Sequence, residues 1–307
     1  MRIVFFGTPA FAVPSLEGLL AERAHVVGVV TQPDKPQGRS RSTLVPPPVK
    51  QLALRHGLPL LQPERPRGDV FLAALRHWQP EIGVVVAYGH ILRPDVLTLP
   101  SRGMLNVHAS LLPRHRGAAP INWAIHQGDP ETGITIMQME PGMDTGAILH
   151  QSASPIGPDE TAGSLTSRLA RLGADALIEA LALMQMGRLV PVPQVESLAT
   201  YAPKIGRATT RIDWTGDAAA VSRRIRAFDP SPGAWSTLSG NEIKLFGARP
   251  ASGSGPAGLV LAVEPVLTVA TGSGAVQIAE VQPAGKARMP SAAWGQGRGT
   301  EAGQVFE

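Results

Sequence analysis

Asn106 and His108, with one residue between them, open the stretch of the chain best suited to chemistry: Met-Leu-Asn-Val-His-Ala-Ser-Leu-Leu-Pro-Arg-His-Arg-Gly-Ala-Ala-Pro-Ile over 104–121. On a strand this spacing puts both side chains on one side. One is an amide that donates hydrogen bonds, and the other is an imidazole that titrates near neutrality. Such a pair at the carboxyl end of a strand, followed by a loop rich in backbone donors, suits reaction at a carbonyl. A lone histidine is more often a satisfied core residue. Here Asn106 on the same face, with Ser110 and Pro113 in the adjoining loop, favours a base or proton-relay role. An asparagine between Leu105 and Val107 in a strand has no turn or cap to serve, so its amide is expected to face a ligand.

A third candidate is Asp144, in Met-Glu-Pro-Gly-Met-Asp-Thr-Gly over 139–146. Pro141-Gly142 favours a turn, and a turn aspartate is the plain reading. The alternative is a carboxylate that orients His108 and raises its basicity, a role for which Glu140 is a rival. The residues alone leave this choice open. All eight histidines fall at or before His150, which removes imidazole chemistry from the second half. His90, His115 and His126 read as structural or surface residues, and no metal-ligand spacing appears, so no metal is expected. The chain has no cysteine, hence no disulfide, thiol nucleophile or thiolate metal site. Phe6-Gly-Thr-Pro lacks both glycine-rich nucleotide motifs and reads as a tight turn bordering the pocket.

The elements that must hold these residues follow from the hydrophobic pattern. Strands are expected over 2–6, 25–30, 58–61, 81–87, 104–107, 132–138 and 147–152. Helices are expected over 13–20, 49–56, 69–78, 118–126 and 161–186. Strand and helix alternate up to about residue 186, which argues for an open, doubly wound α/β sheet with its ligand beyond the carboxyl ends of the strands. Thr31–Pro48 is expected to be a long exposed loop. Val-Pro-Val-Pro-Gln over 190–194 reads as a stiff connector. Beyond it a helix over 218–228 precedes short, glycine-punctuated strands, the mark of a small antiparallel β-barrel or sandwich. The expected division is 1–189, a linker over 190–205, and 206–307.

The 307 residues carry a net charge of +4 and a pI near 9.8, which permits a nucleic-acid partner without demanding one. Two basic clusters stand out. Lys35, Arg39, Arg41 and Lys50 are set against Asp34 alone. Lys204, Arg207, Arg211, Arg223, Arg224 and Arg226 are set against Asp213 and Asp217. Two such patches in separate domains could straddle an extended polyanion, although dispersed surface charge competes for the second. No run approaches a membrane span, and the N-terminal run reads as a first strand and not a signal peptide, so a cytoplasmic protein is expected.

The sequence resembles the folate-dependent formyltransferases. The resemblance lies in Asn-Val-His-Ala-Ser-Leu-Leu-Pro-Arg-His-Arg-Gly-Ala-Ala-Pro-Ile (106–121), Thr-Gln-Pro-Asp-Lys-Pro-Gln-Gly-Arg (31–39), Val-Val-Val-Ala-Tyr-Gly (84–89), Thr-Gly-Ile-Thr-Ile-Met-Gln-Met (132–139) and Asp144-Thr-Gly146. It continues in Arg-Ile-Asp-Trp (211–214), Ile-Arg-Ala-Phe (225–228) and Gln-Pro-Ala-Gly-Lys (282–286), and so spans nearly the whole chain.

The resemblance implies a Rossmann-like formyltransferase domain followed by an OB-like domain that holds tRNA. It implies transfer of the formyl group of 10-formyltetrahydrofolate to the free amine of methionyl initiator tRNA, for translation initiation, by a monomer without a metal. Asn106, His108 and Asp144 would be the catalytic trio, and Ser110, Leu111, Leu112 and Pro113 would line the pterin site. Lys35, Arg39, Arg41, Lys50, Lys204 and Arg207 would contact tRNA. The family's Gly-Arg-Gly and basic pair is here Gly38-Arg-Ser-Arg-Ser42, with less charge. The rival expectations are a formyltransferase acting on an amino-sugar nucleotide, a hydrolase releasing formate, and a tRNA-binding protein with an inactive α/β domain.

Overall fold

The computed structural model describes residues 1–37 and 43–307. Arg39 and Arg41, expected at the tRNA, lie outside the described residues, together with Gly38, Ser40 and Ser42. The chain forms two compact units. The first is Met1–Gly117, Gly133–Ser154 and Thr166–Tyr201; the second is Ala118–Thr132, Pro155–Leu165 and Ala202–Glu307.

The first unit is built on β1 (Arg2–Gly7), β2 (His25–Val30), β3 (Leu60–Leu61), β4 (Ile82–Val86), β5 (Met104–His108), β6 (Glu131–Gln138) and β7 (Ile148–Pro155). Among the described residues they order as β7-β6-β5-β4-β1-β2-β3. Neighbours from β3 through β5 run parallel. Every residue of β4 is buried, because a central strand of a parallel sheet is covered on both faces and needs successive apolar residues. Helices α1 (Val13–Ala21) and α2 (Pro48–Arg55) start with proline in the first turn, where its fixed φ suits the helix and its missing N–H costs nothing. α3 (Asp69–His77) precedes β4 and buries Phe71, Leu72 and Leu75.

Two features depart from the simple alternation. β6 pairs with β5 antiparallel, with His108 opposite Thr135 and Asn106 opposite Met137. A parallel neighbour needs a crossover lying on the sheet, whereas the intervening helix α4 (Pro120–Gln127) clusters with the second unit. The expected loop over 31–48 contains a short antiparallel pairing of Lys35–Gln37 with Thr43–Val45. The long helix α5 (Ala162–Gln185) lies against the back of β5. A Cβ at Gly173 would sit 3.0 Å from Val107 Cγ1 and 3.4 Å from Ile134 Cδ1, so this glycine permits close approach. Val107 alternates with Asn106 and His108, so α5 covers the face opposite to theirs.

In the second unit, helix α6 (Ala218–Ala227) is capped by Asp217, whose carboxylate accepts from Ala220 N at 2.6 Å. β8 (Ala234–Leu238), β9 (Asn241–Ala251), β10 (Val260–Ala262), β11 (Leu267–Ala270) and β12 (Ala275–Pro283) form a curled sheet in the order β8-β9-β12-β11-β10. The pairings β8–β9, β9–β12, β12–β11 and β11–β10 are all antiparallel. The last residues of the chain join its two edges. Phe306 bridges Leu238 at the end of β8, and Val305 bridges Leu259 just before β10. Phe306 is buried against Trp214, with ring centroids 5.5 Å apart. Among the described residues, no helix is long and apolar enough to cross a membrane.

Candidate active site

β5 delivers Asn106 and His108 to one face at the carboxyl end of the sheet. His108 is 5% exposed, and Asn106 is half-buried. His108 Nε2 lies 3.0 Å from the backbone oxygen of His115. A carbonyl only accepts, so Nε2 carries the hydrogen and Nδ1 is the open lone pair of the neutral ring. Nδ1 faces Asp144 Oδ2 at 3.6 Å, too far for a hydrogen bond but close enough for charge to be felt. Burial strips water from the ring and pushes its pKa below the ordinary histidine value. The Asp144 charge and the His115 carbonyl pull it upward, and the His115 ring pushes it down again. The resting ring is therefore neutral at pH 7, with a carboxylate in place to steady a proton once taken. Among the described residues, the Asn106 side chain has no hydrogen-bond partner within the chain.

The sequence left Asp144 and Glu140 as rivals for the partner of His108. The structure brings Asp144 to the ring, while Glu140 is exposed. Asp144 sits at φ 57°, the left-handed region, which costs a non-glycine residue about 1 kcal/mol and needs fixed contacts to hold it. One is the backbone N of Gly117, which donates to Oδ2 at 2.8 Å. Close packing of the turn on β6 is another. A Cβ at Gly146 would fall 1.8 Å from the Gln138 oxygen, so only glycine fits there.

The loop over 110–113 is tied to the antiparallel strand β6. Thr135 Oγ1 donates to the Ser110 oxygen at 2.6 Å and accepts from Leu112 N at 3.0 Å and Gln151 Nε2 at 2.9 Å. Gln151 also donates to the Leu112 oxygen at 3.0 Å. Ser110 is fully buried, and its hydroxyl donates to the Arg114 oxygen at 2.6 Å. Leu112 is buried, whereas Leu111 and Pro113 keep part of their surface open. Thr135 and Gln151 escaped the reading of the sequence. A buried hydroxyl within an apolar strand must find a partner, and that was the available signal for Thr135.

The basic residues divide by what already holds them. Lys50 Nζ lies 2.8 Å from both oxygens of Asp34. Hydrogen bonds from Gln62 and then Lys50 hold the Asp34 carboxyl below its usual range. Lys35 is exposed, and its Nζ donates to Gln32 Oε1 at 2.6 Å. In the second unit Lys204 and Arg207 are exposed. Arg207 pairs with Glu242 and lies over the Trp235 ring, 4.3 Å from its centroid. Arg226 departs from the surface cluster expected around it. It is 8% exposed and donates to the Glu160 oxygen at 2.8 Å. Among the described residues no group of three or more His, Asp or Glu is placed to hold a metal.

Comparison with known proteins adds the context of this geometry. The family model described as formyl transferase matches residues 1–181, and that of the formyl transferase C-terminal domain matches residues 204–299. The chain is 48% identical over 308 residues to a methionyl-tRNA formyltransferase of Aromatoleum aromaticum, covering 100% of this chain and 97% of that one. Among solved structures, WlaRD, a sugar 3N-formyl transferase, has a TM-score of 0.71 at 18% identity, over 94% of this chain and 99% of its own. HypX from Aquifex aeolicus, solved in complex with tetrahydrofolic acid, has a TM-score of 0.68 at 24% identity, over 96% of this chain. The chain spans about half of HypX, 47% of its length. At these identities the two structures speak for a shared fold.

Proposed function

The chain belongs to the formyl transferase family, and from that premise we propose that this enzyme moves the formyl group of 10-formyltetrahydrofolate to the amino group of methionyl initiator tRNA. The observation that carries the chemistry is the half-buried Asn106 amide, open to a ligand, beside a buried histidine whose Nδ1 is free to take a proton. Full-length similarity to a methionyl-tRNA formyltransferase supports the acceptor.

The donor supplies an activated formyl carbon, and the residues present fit it. Asn106 Nδ2–H donates to the formyl oxygen as negative charge gathers there, an interaction typically worth about 3 kcal/mol in the transition state. Leu111 and Pro113 offer apolar surface beside it to a flat ring. His108 Nδ1 takes the proton released as the amine forms its bond to the formyl carbon. The Asp144 charge stabilises the imidazolium, which returns that proton to the nitrogen whose bond to the formyl carbon breaks. Ser110 and Leu112 act in this reading by shaping the loop.

For the tRNA, Lys35, Lys204 and Arg207 present accessible charge, and Arg39 and Arg41 belong to the same reading. Lys50 is committed to Asp34 and contributes chiefly by ordering that segment. The working division is a catalytic domain over 1–189, a linker over 190–205 and a tRNA-binding domain over 206–307, in a cytoplasmic monomer.

Formyl transfer is the test, with charged initiator tRNA, uncharged initiator tRNA, elongator methionyl-tRNA and an amino-sugar nucleotide as acceptors. Transfer to charged initiator tRNA alone is expected. Transfer to the amino-sugar nucleotide and to no tRNA would overturn the acceptor while leaving the donor site standing.

A further inference from the structure

Arg116 is 1% exposed, the charge of a guanidinium taken almost wholly out of water. Such burial is tolerated only with complete pairing. Its Nη1 donates to Glu196 at 2.8 and 3.0 Å, and its Nε and Nη2 donate to Gln194 Oε1 at 3.0 and 2.9 Å. A guanidinium has no acceptor, so it fixes which end of the Gln194 amide faces it. The amide nitrogen must then face the other way, where it donates to two backbone oxygens, those of Asp144 at 2.8 Å and Gly146 at 2.7 Å. Both hydrogens of the amide are used on the two sides of one turn.

We propose that Gln194 is a positioning residue of the active site: together with Arg116 it clamps the Asp144 turn and thereby sets the charge that faces His108. This rests on the reading of His108 and Asp144 as the proton-handling pair. Residues 115–117 join the parts. The His115 oxygen holds His108, the Arg116 side chain orients Gln194, and the Gly117 nitrogen holds the Asp144 carboxylate. Asp144 is thus fixed at its side chain by one end of this segment and at its backbone through Gln194. Gln194 adds to the Gly117 bond and to the packing of Gly146 on β6 a direct hold on the backbone oxygen of Asp144 itself, the residue in the left-handed conformation. Gln194 ends the 190–194 stretch that reads from sequence as a stiff connector, and Glu196 opens the short 3-10 turn Glu196–Leu198 that follows. Val192 pins the segment to Ile148 through reciprocal backbone bonds of 2.8 Å.

The titratable and charged groups facing His108 are Asp144 and His115. Loosening the turn withdraws the one negative charge among them, so the His108 pKa falls further. The experiment compares Gln194→Leu, Gln194→Glu, Asp144→Asn and the double variant Asp144→Asn/Gln194→Leu in the full chain. It reads kcat, both KM values, the acid limb of the pH–rate profile and the His108 ring titration by NMR. Gln194→Glu keeps the volume and the contact to Arg116 but cannot donate to two carbonyls, so it carries the test if the leucine variant does not fold. Both Gln194 variants are expected to lose roughly ten- to a hundredfold in kcat with KM values little changed. In Gln194→Leu the acid limb and the His108 titration move to lower pH, the direction expected for Asp144→Asn. The double variant is expected to be no slower than Asp144→Asn. A slow Asp144→Asn beside Gln194 variants of wild-type rate and profile would overturn the clamp alone. So would a lowered melting temperature without movement of the acid limb, or a multiplicative loss in the double variant. An Asp144→Asn enzyme of wild-type rate would overturn the underlying reading and the clamp with it.

Discussion

His108 in the first unit is buried and His126 in the second is half-buried, and burial is the leading cause that pushes both pKa values down. Their neighbours separate them. His108 faces the Asp144 carboxylate and hydrogen-bonds a backbone oxygen through Nε2. His126, on α4, packs 5.3 Å from the Trp123 ring and 5.9 Å from Phe228. The charges that reach it are those of Arg224 and Arg223, which add to burial and take its pKa to about 4. A proton arriving at His108 meets an opposite charge, and one arriving at His126 meets two like charges. A perturbed pKa does not by itself mark a site; the sign of the charge waiting for the proton does.

Replacement of each ring in turn would break this comparison if it is wrong. His108→Ala removes the proposed proton carrier and should lower kcat roughly 10³-fold, at the scale of a lost general base. His126→Phe keeps the aromatic packing and should leave single-turnover transfer close to wild type. Comparable losses in the two variants would mean that burial, and not the neighbouring carboxylate, distinguishes working histidines here. Asn106→Leu comes next in size. It retains volume on the same strand face but removes the proposed donor to the formyl oxygen, and should cost about 10²-fold in kcat with little change in KM. A loss expressed in KM alone would make Asn106 a ground-state contact.

The parts of this site legible in the sequence are those set by local rules. Period two places Asn106 with His108, and continuous apolar runs mark β1 and β4 as central strands. The strand at His25–Val30 falls where the pattern puts it. What escaped depends on partners far along the chain. The antiparallel pairing of β5 with β6 is invisible because hydrophobic periodicity carries no direction. The seam made by Val305 and Phe306 is a pair of isolated bridges, too short for any pattern. Gln194 reads as part of a Pro-rich spacer, since an amide that bonds carbonyls and a guanidinium leaves no periodic trace. Arg226 reads from sequence as one of a charged cluster, yet its position on α6 turns it inward to the Glu160 oxygen. The burial of Arg116 is the most telling case, because nothing in Arg-His-Arg-Gly distinguishes the buried arginine from the exposed Arg114.

The smallest effect expected from the comparison concerns stability. The His126 pKa is about 4 in the folded chain against 6.5 for a free histidine. Between those values the unfolded chain binds a proton at this position and the folded chain does not. Falling pH therefore pulls the equilibrium toward the unfolded state. The contribution is complete above about pH 6.5 and drains away as pH drops toward 4. Part of the ring remains open to solvent, which tempers the size. His126→Phe has no proton to gain, so its melting temperature relative to wild type should be higher near pH 5 than near pH 7.5. His108 carries a shift of the same sign, but it is present in both proteins and cancels in the difference. A pH-independent difference would show that neither burial nor the charges of Arg224 and Arg223 oppose the proton at His126 in solution.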